Sequence, residues 1–158
     1  MRLFLGVVVL VATLLAGAIH VASIYGIDTE AQVPAVWVFH IGAIVAIWLA
    51  FAFGLPKGRS WKTLSSAFVL VPIWARVLIV AALINCLVNF ALVLPQTDSG
   101  LPEQRGGRYV FNNHGVIRDV SEAEYHAKRA LIVRGFSSVW FYLYLVSSLY
   151  LLTARREP

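Results

Sequence analysis

Hydrophobic residues fall into four runs along the chain, and each run is long enough to cross a bilayer as a helix. The runs cover Leu3–Tyr25, Val33–Gly54, Ile73–Leu94 and Ala130–Leu152. A helix rises ~1.5 Å per residue, so about twenty residues match a hydrocarbon core of about 30 Å. The pattern therefore predicts an all-α membrane protein, a four-helix antiparallel transmembrane bundle that forms one domain over residues 1–158.

The fourth run belongs to a longer predicted helix, Ser121–Thr153, around which the rest of the chain is organised. Ser121 and Glu124 have the spacing of a capping box, in which two side chains satisfy free N–H groups of the first turn. A helix of this length spans about 48 Å, so its first turns extend out of the hydrocarbon core. Arg134 then lies just inside the lipid, where an unpaired charge is costly and indicates a partner or a wet cavity.

Composition supports a membrane protein. Of the 158 residues, 59% are hydrophobic and 13% are charged, whereas ordinary soluble domains have about 25% charged residues. The net charge is +5, but the basic residues form short patches beside the apolar runs, which indicates membrane topology and not nucleic-acid binding. Cys86 is the single cysteine, which excludes an intrachain disulfide and a thiolate metal cage.

The distribution of lysine and arginine predicts the orientation of the helices. Gly26–Gln32, between the first two runs, contains two acids and no base. By the positive-inside rule, both termini and the middle loop are expected in the cytoplasm, and the long loop 96–129 outside. In a bacterium this is a multi-pass protein of the cytoplasmic (inner) membrane with a periplasmic loop. The basic residues that set this orientation are Arg2, Lys57, Arg59, Lys62, Arg76, Arg155 and Arg156.

The long outer loop is expected to contain a small hairpin. Arg108–Val120 consists of two β-prone runs around Asn112–Gly115, where asparagine and glycine suit a turn with positive φ. Gln96–Gly107 is rich in glycine, proline and polar residues, and is expected to be mobile. In the middle loop, Ser60–Val71 mixes tryptophan, lysine and phenylalanine, and is expected to lie along the membrane interface.

Strongly polar residues within the runs concentrate in the outer half of the predicted bundle. In three runs they fall on stripes with helical spacing. In the second run His40 lies opposite a ridge of small residues, Gly42, Ala46, Ala50 and Gly54. We expect one shared outer cavity; the alternatives are interhelical hydrogen bonding and an Arg134 side chain that extends to the head groups.

The candidate ligand-binding residues are Arg134, His20, His40, Asn85, Asn89, Ser137 and Ser138. The stripes are Thr13, Ala16, Gly17, His20 and Ser23; Leu78, Ala82, Asn85, Asn89 and Leu92; and Arg134, Ser137, Ser138, Phe141, Tyr144 and Ser148.

A metal-dependent redox protein is the alternative class. His20 and His40 could ligate haem b, and His114 and His126 could bind zinc or copper together with Glu122. The sequence has no Cys-x-x-Cys-His motif, no Gly-x-Ser-x-Gly motif and no phosphate-binding glycine loop. No cofactor is therefore predicted, and the residues favour a binding protein over an enzyme.

A set of residues in the outer loop and the fourth run resembles a pattern of small, uncharacterised four-span bacterial membrane proteins. It consists of Tyr109, Asn113-His114-Gly115, Ser121-x-x-Glu124-Tyr125 and Arg134-x-Phe136-Ser137. The resemblance implies a bacterial cytoplasmic-membrane protein whose His114, Glu124, Tyr125 and Arg134 act together, and it implies no activity.

The leading expectation is a membrane binding or accessory protein that recognises a lipid, a small molecule or a membrane-protein partner at the outer leaflet. Arg134 would bind an anionic group, because a guanidinium can hold a carboxylate or phosphate through two parallel hydrogen bonds. His20 and the asparagines would line the cavity, and the hairpin would cover it. The expected partners are membrane lipids, another membrane protein or a second copy of the chain, and not nucleic acid.

Overall fold

The computed structural model describes residues 1–53 and 68–154, apart from the side chains of residues 97–99. Within these residues, four helices are long and apolar enough to cross a membrane, which confirms the prediction of a mostly helical, multi-pass membrane protein. Most of the predicted interfacial segment, and the basic residues of the middle loop and the C-terminus, lie outside the described residues. In chain order, the helices are α1 (Arg2–Ile24), the short α2 (Thr29–Gln32), α3 (Val38–Phe53), α4 (Ile73–Val93) and α5 (Glu122–Thr153).

Helix α5 is the element against which the other long helices pack. It contacts α1, α3 and α4, whereas α1 and α3 meet each other over a smaller area. Its surface is buried on several sides, and Trp140, Val133 and Leu151 are at most 1% exposed. Small residues on α5, including Ser137 and Ser147, let neighbouring backbones approach closely. Helix α5 is therefore the centre of the helical part of the molecule.

Both ends of α5 are capped by side chains. At its start, Ser121 Oγ accepts a hydrogen bond from Glu124 N at 3.2 Å, and Glu124 Oε2 accepts one from Ser121 N at 2.9 Å, so the predicted capping box is confirmed. At its end, the guanidinium of Arg2 donates to the carbonyl oxygens of Tyr150, Leu151 and Ala154 at 2.6–2.8 Å. A cation is favourable at a helix C-terminus, and here it joins the start of α1 to the end of α5.

Close approach between helices depends on glycine at specific contacts. A Cβ atom at Gly42 would overlap the phenolic oxygen of Tyr144, and one at Gly6 would lie 2.7 Å from the side chain of Leu152. The Tyr144 hydroxyl occupies the space above Gly42 and donates a hydrogen bond to Phe39 O at 3.1 Å. The small-residue ridge of α3 is therefore packed against α5.

The buried stripes agree with the predicted ones in α1 and differ in α4. Helix α1 buries Thr13, Ala16, His20 and Ser23, all of which belong to its predicted stripe. In α4, Leu78 is 45% exposed and Leu92 is 48% exposed, so this part of the predicted stripe is wrong. Small side chains permit close packing on α5, whereas leucine suits contact with lipid. The buried face of α4 consists of Ala75, Ile79, Ala82, Cys86, Asn89 and Val93.

The segment between α4 and α5 contains a three-stranded antiparallel sheet in the order β1-β2-β3. The strands are β1 (Leu101–Arg105), β2 (Arg108–Asn113) and β3 (Val116–Asp119). A two-residue turn at Gly106-Gly107, with φ values of 56° and 78°, joins β1 to β2. Such a turn is typical of a hairpin, and strand β1 therefore lies within Gln96–Gly107, the segment expected to be mobile. We call the end of the helices at which this sheet lies the sheet end.

We expect Gly42→Ala to destabilise the protein by about 1–3 kcal/mol, because the added methyl group overlaps the Tyr144 hydroxyl. Tyr144→Phe removes that oxygen, so Gly42→Ala should cost less in a Tyr144→Phe background than in the wild type. Thermal unfolding of the four proteins in detergent measures this coupling. Equal costs in both backgrounds would contradict the close contact.

Candidate functional site

Five polar side chains at the sheet end form a closed ring of hydrogen bonds across α1, α4 and α5, which we call the polar ring. Arg134 Nε donates to Asn89 Oδ1 at 2.7 Å, and Asn89 Nδ2 donates to Asn85 Oδ1 at 3.0 Å. Asn85 Nδ2 lies 3.1 Å from His20 Nε2, and His20 Nδ1 lies 3.1 Å from Ser137 Oγ. The Ser137 hydroxyl donates back to the Arg134 carbonyl oxygen at 3.3 Å.

The chemistry of Arg134 determines where every proton of the polar ring lies. A guanidinium only donates, so Asn89 must accept through its oxygen and donate through its amide nitrogen. Asn85 is oriented in the same way, and its N–H group is directed at His20 Nε2. That nitrogen must then be an acceptor, so His20 is neutral and carries its proton on Nδ1, from which it donates to Ser137. One set of protonation states satisfies all five bonds.

The helices bring these residues together because each polar residue lies on the face that packs inward. His20 is 5% exposed, Asn89 is 3% exposed, and Ser137 is fully buried. Ser23, one turn after His20, lies 3.5 Å from Ser137 and extends the hydrogen bonding toward the end of α1. The predicted grouping of His20, Asn85, Asn89, Arg134 and Ser137 is thus seen in the structure, and their role in ligand binding stays a prediction.

Arg134 has hydrogen-bond donors that no residue of the polar ring accepts. Its Nε is bonded to Asn89, whereas its two Nη groups have no acceptor among the residues that the structure describes. None of the ion pairs in the described part of the chain includes Arg134. The side chain is partly exposed, so its Nη groups can reach a group outside the protein.

Two predicted members lie outside the polar ring. His40 is exposed, and its Nδ1 accepts a hydrogen bond from Trp140 Nε1 at 3.0 Å on the α3 side of α5. Ser138 is fully buried and donates to Gly135 O in its own helix at 2.7 Å. His40 and Ser138 therefore do not belong with Arg134.

The arrangement of the histidines does not match the predicted haem or metal sites. Both nitrogens of His20 are engaged in the polar ring, and Nδ1 of His40 is engaged by Trp140. His126 bonds to Asp28, and His114 lies in the turn after β2 with a φ of 51°. Among the described residues, no three histidine, cysteine or acidic side chains are grouped as metal ligands.

A second polar cluster, which the sequence analysis missed, joins the connection after α1 to the start of α5. Asp28 Oδ2 lies 2.6 Å from His126 Nδ1 and 3.2 Å from Arg129 Nε, although that N–H is not directed along a hydrogen bond. Arg129 Nη2 also lies 3.5 Å from Glu30. We call Asp28, Glu30, His126 and Arg129 the outer ion cluster. The sequence did contain a signal for this cluster. Acidic residues between the first two runs and basic residues before the fourth run are expected on the same side of the membrane, where they can pair.

The other residues of the resemblance have local roles around the outer ion cluster. Glu124 forms the capping box, and its hydrogen bonds from the backbone and side chain of Ser121 lower the pKa of its carboxyl group. Tyr125 is buried against Tyr109, with ring centroids 4.8 Å apart. Within the described residues, no hydrogen bond, ion pair or ring contact joins His114, Glu124 or Tyr125 to Arg134.

A cavity of about 510 Å³ lies at the sheet end, beside the first turns of α5. Its lining does not include the residues of the polar ring that were expected to form a cavity. Lys128, which is 7% exposed, donates a hydrogen bond to Gln96 O at its wall. The lining residues are Pro95, Gln96, Phe111, Glu124, Ala127, Lys128 and Leu131.

Comparisons of the chain with protein-family models, with curated proteins and with solved structures give no match. We therefore infer a function from the geometry of the polar ring and its surroundings.

The capping box should make the start of α5 sensitive to acid. Because the pKa of Glu124 is lowered in the folded protein, its stabilisation is present above the ordinary glutamate pKa of about 4.3 and is lost as the pH falls through the lowered value. We expect Glu124→Ala to lower the Tm at neutral pH, and the difference from wild type to shrink below pH ~4. A difference that does not depend on pH would contradict this.

Loss of the Asp28 charge should loosen the connection after α1. Asp28→Asn keeps an oxygen that can accept from Ala31 N, but it removes the partner of His126 and Arg129. We expect faster amide exchange in residues 26–37, equivalent to about 1–2 kcal/mol of local opening. Asp119→Asn is the matched control, because its 3.4 Å pair with Arg108 is exposed and contributes little. Similar exchange in both variants would contradict the role of the cluster.

Proposed function

We propose that this protein is an integral membrane binding protein that recognises the anionic head group of a lipid in the outer leaflet. The observation that carries the proposal is the state of Arg134, which is held by Asn89 through Nε and leaves both Nη groups without a protein acceptor in the described part of the chain. An arginine at the edge of the hydrocarbon without a counter-ion is costly, so an anion from outside the chain would stabilise it.

The depth of Arg134 suits a lipid head group. Arg134 follows Arg129 by five residues, which corresponds to about 7.5 Å along α5. Arg129 belongs to the outer ion cluster, which fits the level of the head groups, so Arg134 lies at the boundary between the head groups and the acyl chains. Its two Nη groups are within reach of a phosphate at that boundary.

The chemistry of the guanidinium favours a phosphate or a carboxylate. Both Nη groups can donate to two oxygens of one planar or tetrahedral anion, which gives direction as well as charge. The polar ring holds Arg134 from the opposite side, because Asn89 accepts from Nε and is itself held by Asn85 and His20. The remaining donors are thus oriented before the ligand arrives, which reduces the entropy lost on binding.

The proposed function requires a specific orientation in the membrane. We propose an antiparallel bundle with both termini in the cytoplasm and with the sheet as an extracytoplasmic cover, in the cytoplasmic membrane of a bacterium. Arg2 at the start of α1, together with the acidic connection after α1, supports this orientation.

Replacement of Arg134 should abolish preference for anionic lipid. We expect Arg134→Leu to weaken retention of phosphatidylglycerol, relative to phosphatidylcholine, by about tenfold or more, because one charged bidentate contact is lost. Native mass spectrometry of the detergent-purified protein, titrated with each lipid, measures the two affinities. Arg134→Lys should recover part of the preference, since lysine keeps the charge and loses the bidentate geometry.

Arg108→Leu is the matched control, because Arg108 is an exposed arginine of the sheet that pairs with Asp119. It should leave the preference unchanged. Equal lipid preference in the wild type and in Arg134→Leu, with both proteins folded, would exclude Arg134 as the anion site. A preference for a soluble anion such as inorganic phosphate over the lipid would move the ligand class from lipids to small molecules.

A further inference from the structure

His40 provides an exposed hydrogen-bond donor on the α3 side of α5, outside the polar ring. Trp140 Nε1 donates to His40 Nδ1 at 3.0 Å, and an indole N–H can only donate. Nδ1 of His40 is therefore an acceptor, the ring is neutral, and its proton lies on Nε2. In this tautomer Nε2 offers an N–H group and no lone pair, which suits an oxygen acceptor and not a metal.

The Nε2–H group has no partner within the protein. His40 is exposed, and no acceptor among the described residues lies within hydrogen-bond reach of Nε2. Its neighbours Phe136 and Trp140 follow Arg129 by seven and eleven residues, or about 10 to 16 Å along α5. That level lies below the head groups, where water does not satisfy a donor and an unpaired N–H group is costly.

Two aromatic rings contact the imidazole that carries this donor. The imidazole stands nearly perpendicular to Phe136 and to Trp140, at interplanar angles of 76° and 74° and centroid distances of 5.8 and 6.3 Å. Trp37 makes edge contacts with the same two rings, at 5.2 Å and 5.5 Å. A flat conjugated molecule that enters from the lipid would meet aromatic faces and edges and one N–H donor.

We propose that His40, Phe136, Trp140 and Trp37 form a lipid-facing binding site for a quinone-class molecule, whose ring carbonyl accepts the hydrogen bond from His40 Nε2. A quinone combines a planar ring for the aromatic walls, a carbonyl oxygen for the donor, and an apolar tail that stays in the bilayer. The ester carbonyl of a phospholipid is the competing acceptor, but it belongs at the boundary of the hydrocarbon and has no ring to contact Phe136 and Trp140. This site is separate from the polar ring and does not require that Arg134 bind an anion, but it rests on the same proposed placement of Arg129 at the level of the head groups.

The test uses the full chain in nanodiscs of ether-linked phosphatidylcholine, which contains no ester carbonyl. Decylubiquinone labelled with carbon-13 at its carbonyls is titrated into the nanodiscs, and the infrared carbonyl band is recorded. We expect a saturable band shifted to lower frequency, with one quinone bound per chain. His40→Phe should abolish the shifted band and weaken binding by about tenfold, because it removes one hydrogen bond at an apolar site.

Two variants complete the test. His40→Gln keeps a side-chain N–H group at this position and should recover part of the shifted band. His114→Phe, which replaces a histidine in the turn of the sheet, should bind the quinone as the wild type does. A shifted band of equal strength in His40→Phe, or the lack of any saturable band in the wild type, would overturn the proposal.

A measurement on the unaltered protein covers the case in which the His40 variants fail to fold. In protein labelled with nitrogen-15 at histidine, the His40 Nε2–H resonance should shift on addition of decylubiquinone in ether-linked nanodiscs. An unshifted resonance would overturn the proposal. The same would follow if the resonance changes only on exchange of ether-linked for ester-linked lipid, because that result would identify the lipid ester as the acceptor.

Discussion

Polar groups at hydrocarbon depth have no water to bond with, so each donor and acceptor must find its partner in the protein or in the lipid. In the polar ring, five side chains from three helices bond in a single direction around the ring, and the ring closes on the backbone carbonyl oxygen of Arg134. The guanidinium of Arg134 sets that direction because it has no acceptor. The neutral state of His20, the orientation of both asparagines and the position of the Ser137 hydroxyl all follow from it.

Among the described residues, Arg134 and His40 are two residues of the long helices with side-chain N–H groups that no protein acceptor meets. Arg134 has donors beyond the one that Asn89 accepts, and in the proposed orientation it lies near the head groups, where anions are available. In that orientation His40 has one donor at a deeper level, and the ligand that we propose there is an apolar molecule with an oxygen acceptor. The proposed ligands differ because the depth of each donor decides which acceptors can reach it.

Helix α5 brings these features together. Its 32 residues are more than a bilayer core requires. Its first turns contribute to the outer ion cluster, and its later turns contribute to the polar ring and the His40 site. Side-chain caps close both of its ends, and Arg2 links its last turn to the beginning of α1. Glycine and serine at its contacts let α1, α3 and α4 approach closely enough for polar side chains to meet.

The sequence by itself determined the four apolar helices, the capping box and the concentration of polar residues toward one end, because run length, capping spacing and helical phase are local properties. The grouping of His20, Asn85 and Arg134 followed from their similar depth. Tertiary structure alone decided the rest. Each neighbouring helix packs on a particular side of α5, and this separates His40 from the polar ring. The same packing leaves Leu78 outside the buried face of α4. It also brings Trp140 into the contact that sets the tautomer of His40. Two pairings also depend on how separate segments meet in space: that of Asp28 with His126 and Arg129, and that of β1 with β2. The pattern of residues within one segment does not predict such pairings.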